Sequence, residues 1–130
     1  MKKIIYCILI LSLIACATNT KRDFPSETEE KPVRIANDSL EYEIIIMDIG
    51  FNTFLNSQTQ PRGYFSLNFL ETKNTIWVNS YNIRANNPTV FGSLYGPSID
   101  YEPHIKYGYE VNYLLYNYFL FFQRKYRQRL

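Results

Sequence analysis

Tyr109-Glu110-Val111-Asn112-Tyr113-Leu114-Leu115-Tyr116-Asn117-Tyr118-Phe119-Leu120-Phe121-Phe122 is the stretch on which the fold turns. Val111, Leu114, Leu115, Tyr118, Phe119 and Phe122 recur at i, i+3 and i+4, the spacing of one helix face. Gly108 stands where an N-cap is needed, and Glu110 falls in the first turn, where the helix dipole favours negative charge. Arg124, Lys125, Arg127 and Arg129 gather at the other end, where cations are favoured. Between 113 and 122 only Asn117 interrupts the apolar character. Such a run rises about 15 Å, too little to cross a hydrocarbon core of about 30 Å. A basic, aromatic helix end could lie on an anionic surface. The domain offers no larger hydrophobic element, however, so this helix is expected at the centre of the core, with tyrosine hydroxyls reaching the rim.

Working back from that helix, Glu41-Tyr42-Glu43-Ile44-Ile45-Ile46-Met47-Asp48 reads as a strand closed by Gly50. Three consecutive isoleucines predict burial on both of its faces. Residues 51–58 read as a short helix with Phe51, Phe54 and Leu55 on one side, broken by Pro61-Arg62-Gly63. In 64–86, Phe65, Phe69, Leu70, Ile76, Trp77, Tyr81 and Arg84 sit near helical spacing, which favours a helix for most of the segment. Thr75-Ile76-Trp77-Val78 keeps a strand open as the alternative. Asn86-Asn87-Pro88 ends it, and 88–106, rich in Pro, Gly and Tyr, is mostly loop. Residues 95–101 could supply a second strand against Ile44 to Ile46. The expected fold is therefore a small, mainly helical α+β domain over 41–130, with one or two short strands and a long C-terminal helix. No repeat of fixed period is present.

The first residues have a different character. Met1-Lys2-Lys3 is a cationic start, and an apolar run over 4–15 follows, broken only by Ser12. This is the pattern of an export signal. Leu13-Ile14-Ala15-Cys16 resembles a lipobox. The resemblance implies a diacylglyceryl group on the Cys16 sulfur and cleavage after Ala15, making 1–15 a removed signal peptide. The thiol is the good nucleophile of the segment. Cys7 would leave with the signal and Cys16 would be consumed by lipid, so the exported domain is expected to lack disulfides. Residues 16–40 hold Asn, Thr, Lys, Arg, Asp, Pro, Ser and Glu with no apolar period, and read as a flexible tether.

The sequence offers little catalytic chemistry. Asp100, Glu102 and His104, the single histidine, stand at alternate positions, but Pro103 breaks a regular strand there, and a solvated loop is expected rather than a metal site. Ser57, Ser66, Ser80, Ser93 and Ser98 show no nucleophile-elbow pattern. Paired carboxylates would have to come from Asp48, Glu71, Asp100, Glu102 and Glu110. Asp48, at a strand end before Gly50, is expected as a turn or cap residue. Trp77 and the tyrosines could stack on sugar rings if exposed, although a small disulfide-free domain needs its rings for the core. A net charge of +2, with export, speaks against nucleic acid. No cofactor and no catalytic residue is assigned.

Asp48-Ile49-Gly50-Phe51, Gln60-Pro61-Arg62-Gly63-Tyr64, Tyr107-Gly108-Tyr109-Glu110-Val111-Asn112-Tyr113, Leu115-Tyr116-Asn117-Tyr118-Phe119 and the closing Lys125-Tyr126-Arg127-Gln128-Arg129-Leu130 together resemble a family of small Bacteroidota lipoproteins known only as a domain of unknown function. The resemblance covers about 41–130 and is most specific from Gly108 to Phe119. It implies a cell-envelope location and transfers no activity to any residue. Ala17, where an inner-membrane retention signal would have Asp, points to an outer-membrane anchor facing the periplasm. The expected role is a non-catalytic envelope interaction or scaffold module, held to the membrane by lipid and partnered by another envelope protein. A ligand- or carbohydrate-binding module using exposed aromatics is the alternative, and a hydrolytic enzyme the third.

Overall fold

The computed structural model describes residues 30–130. The signal peptide, Cys16 and most of the tether lie outside the described residues. Strands β1 (Val33–Asn37) and β2 (Tyr42–Ile46) come first. Helices α1 (Phe51–Ser57), α2 (Leu67–Ala85), α3 (Pro88–Phe91) and α4 (Tyr109–Lys125) follow. The result is the small α+β domain expected, with α4 as its axis.

Helix α4 is buried on every side from Val111 through Phe119, and again at Phe121 and Phe122. A helix apolar all round needs cover all round. Helix α2, strand β1 and helix α1 pack against it. The segment before α4 adds Tyr95, Ile99, Tyr101 and Tyr107 to the same core. Gly108 serves as its N-cap at φ 86° and ψ 173°, a conformation that a Cβ disfavours. At the other end Arg127 takes the left-handed conformation at φ 52°. There Gln128 N–H donates to the Gln123 carbonyl (3.0 Å) and Arg127 N–H to Arg124 (3.4 Å), the paired bonds of a Schellman stop.

Helix α2 starts at Ser66, whose hydroxyl accepts from Phe69 N–H at 3.3 Å. Leu70, Asn74, Val78 and Tyr81 turn inward, while Ile76 and Ile83 face solvent two turns apart. The strand alternative at 75–78 is thus displaced by continuous helix. A buried amide network joins α2 to α4. The Asn74 Nδ2 donates to the Asn112 carbonyl (2.9 Å) and side-chain oxygen (3.0 Å). Tyr101, pushed up to about 12 by burial, keeps its proton and donates it to the same Asn112 oxygen at 2.8 Å.

The structure corrects the sequence reading at the hairpin. The tether expected over 16–40 is too long by several residues. Residues 33–37 form β1, paired antiparallel with β2 from Val33 opposite Ile46 to Asn37 opposite Tyr42. Ile35 is fully buried. The partner of β2 is therefore β1, and 95–101 is not a strand. Burial on both faces of β2 is also corrected. Ile46 is buried and Ile44 half-buried, but Ile45 is 58% exposed, and beyond the strand Met47 and Ile49 are 78% and 66% exposed. The hairpin has one covered face and one open face. Among the described residues no helix is long and apolar enough to cross a membrane.

Candidate functional site

A cleft of about 720 Å³ runs between β2 and the segment after α3. Every residue of 41–48 borders it, whichever face its side chain takes, so the cleft follows the strand's edge rather than a face. Leu94 and residues 96–100 form the opposite wall. Tyr81 of α2, Tyr118 and Phe122 of α4, and Tyr126 form the floor.

The far wall is held by side chains of α2. The Tyr81 hydroxyl accepts from Gly96 N–H at 2.9 Å, and a Cβ at Gly96 would stand only 3.3 Å from that oxygen. Asn82 clamps Ile99 from both sides: its Nδ2 donates to the Ile99 carbonyl and its oxygen accepts from Ile99 N–H, each at 2.8 Å. Ser98 Oγ donates to the Asn86 side chain at 2.9 Å. These bonds satisfy backbone groups of a segment that forms no strand among the described residues.

The near wall is different. Among the described residues β2 pairs only with β1, and no other hydrogen bond reaches the backbone of 42–46. In an antiparallel pair, alternate residues turn N–H and C=O away from the partner. On β2 those groups lie on the edge away from β1, and no residue of β1 borders the cleft.

At the inner end Asp48 collects donors from the chain's far terminus. Its carboxylate accepts from the Tyr118 hydroxyl (3.1 Å), the Tyr126 hydroxyl (2.5 Å) and Lys125 Nζ (3.4 Å). Burial pushes the Tyr118 hydroxyl far above the ordinary tyrosine range, with Tyr81 and Asp48 beside it adding to the shift. Burial also raises Tyr81 and Tyr126. These hydroxyls stay protonated, and those of Tyr118 and Tyr126 serve as donors to Asp48. The lining carries four carboxylates, Glu41, Glu43, Asp48 and Asp100, and no Lys, Arg or His. Glu43 pairs with Arg34 at 2.8 Å and Asp48 with Lys125. Glu41 and Asp100 have no ion pair among the described residues.

The other residues singled out from the sequence do not converge. Glu102 and His104 pair with each other at 3.0 Å in solvent, and Asp100 borders the cleft. Glu71 meets Lys106 at 3.5 Å, and Glu110 meets Arg62 through two bonds of 2.8 and 2.5 Å. Among the described residues no three ligating side chains come together. Ser57 donates back to the Thr53 carbonyl within α1. Trp77 is half-buried and stacked on Tyr116 at 5.2 Å, at one end of a chain of partly buried rings that runs through Phe69 and Phe65 to exposed Tyr64 and borders no part of the cleft. Sequence reasoning missed the cleft itself. Its one signal was the four-residue spacing of Tyr118 and Phe122 on α4 and Tyr126 at its C-cap.

The model of a family of unknown function (DUF6146) matches residues 4–130. No curated protein and no solved structure matches the chain.

Proposed function

Because the chain belongs to that family, whose function is unknown, its role has to be argued from the molecule, and we propose a lipid-anchored interaction module of the cell envelope. Cys16 would hold it to the membrane, and the cleft with the adjoining open hairpin face would be its working surface. The observation that carries this reading is the edge of β2, unpaired among the described residues, beside exposed Ile45, Met47 and Ile49. Unpaired edges are surfaces for association, and proteins usually blunt or cover them. The polar groups at the inner end of the cleft favour the same reading. Both Asp48 oxygens are bonded to tyrosine hydroxyls, so the carboxylate braces the fold rather than standing open to a substrate.

The anchor is argued from the leader. Buried acyl chains contribute about 0.8 kcal/mol per CH₂, and a lipoprotein anchor with more than one chain gives stable attachment. The matched span takes in both the apolar run and Cys16. We place the anchor in the outer membrane, facing the periplasm, on the strength of Ala17.

In-cell crosslinking tests the role. A photoreactive residue at Met47 is expected to capture a protein, identified by mass spectrometry, and one at Ile83, on the outer face of α2, is not. Cys16→Ala should move the protein out of the membrane fraction and abolish the Met47 capture. Recovery of oligosaccharide alone from Met47 would overturn the role. A wild-type chain that took up no labelled fatty acid would overturn the anchor.

A further inference from the structure

We propose that the cleft takes an extended, basic segment of another polypeptide, added as a third strand along β2. The proposal rests on the interaction role above and names the chemistry of the partner. Strand addition supplies main-chain hydrogen bonds to an open edge, and side-chain pockets supply the selectivity.

Four observations converge. The edge of β2 is unpaired among the described residues and borders the cleft along its whole length. Among the described residues no backbone hydrogen bond joins the opposite wall to that edge, and Asn82 takes both backbone groups of Ile99. An incoming strand turns alternate side chains inward. The floor beneath them is made of the buried Tyr81, Tyr118 and Phe122 and the partly buried Tyr126. The rim is acidic: among the described residues Glu41 and Asp100 have no ion pair and the lining holds no cation. Basic side chains on the incoming strand would complement that rim.

The same charges decide against two other occupants. A second copy paired edge to edge would bring its own Glu41 and Glu43 to a rim that is already acidic, and like charges across strands destabilise pairing. Residues 17–29 of this chain carry Asp23, Glu27 and Glu29 against Lys21 and Arg22, with Pro25 among them. Proline cannot donate to a ladder.

The test uses the full chain in detergent and fluorescence anisotropy of a short labelled peptide alternating lysine and valine. That peptide is expected to bind at least about tenfold more tightly than its glutamate–valine counterpart, a margin of about 1.4 kcal/mol. N-methylation of alternate backbone nitrogens should cost the same or more. The double variant Glu41→Gln, Asp100→Asn should weaken binding several-fold and flatten its salt dependence, with thermal melting unchanged. Equal binding of acidic and basic peptides, or no loss on N-methylation, would overturn the proposal. So would tighter binding after deletion of 17–29, which would make the chain's own segment the occupant. A dimer that dissociates on Met47→Lys would name a second copy instead. If Met47 crosslinks captured a protein while no peptide bound, the interaction role would stand and strand addition would fall.

Discussion

Glu30 and Glu110 each hold two distant parts of the chain together through one carboxylate. Glu30 accepts from Gly50 N–H, and from Thr53 through its N–H (2.8 Å) and hydroxyl (3.0 Å), at the start of α1. The Gly50 bond, followed by that of Thr53, keeps Glu30 below the usual carboxylate range. Glu110 is lowered by the paired bonds from Arg62, whose guanidinium also lies 4.7 Å from the Tyr113 ring centre. A carboxyl group depressed in the folded state contributes stability that is complete above its unfolded value, about 4.3, and is lost as pH falls through the folded value. The melting temperature is therefore expected to decline below about pH 5, and Glu110→Gln should make that decline shallower, as thermal melts across acidic pH would show. The exposure of both groups keeps the effect small. Asp48 marks how far residues could be read from sequence. Its part in a turn was legible, since its carbonyl accepts from Phe51 N–H at 3.2 Å. Its carboxylate partners, Tyr118 and Tyr126, lie 70 and 78 positions away, where no local pattern reaches.

Among the elements, α4 was legible because spacing, N-cap, dipole charges and basic end all agree. Helix α2 was harder to read because Ile76 and Ile83 lie on its solvent face and blur the apolar stripe. Strand β1 was not legible. Val33-Arg34-Ile35-Ala36-Asn37 sends one fully buried side chain, Ile35, into the core and is a strand because β2 lies alongside. The central place of α4 sets the cost of trimming it. Leu115 has no exposed surface, so Leu115→Ala is expected to destabilise by about 2–5 kcal/mol in chemical denaturation. Ile83→Ala, on the open side of α2, should stay within about 0.5 kcal/mol of wild type.

For the molecule as a whole, the boundary of the folded body matters most. A chain begun at residue 41, where the composition changes, would lose Ile35 from the core. It would also lose the bond from Asn37 Nδ2 to the Tyr107 carbonyl (2.8 Å) and the Glu30 contacts at α1. Such a chain is expected to show no cooperative thermal transition by circular dichroism, whereas one begun at residue 30 should melt in a single step. The boundary was misplaced because polarity, not pairing, was the visible signal: 33–40 resemble the tether in composition and belong to the domain through β2. The packing of Trp77 has a consequence of another kind. It is the chain's sole tryptophan, and its indole lies between α2 and α4, stacked on Tyr116 and edge-on to Phe119 at 6.1 Å. The seam between the two long helices thus contains its own fluorophore, and a change in emission colour would report their separation without any added dye.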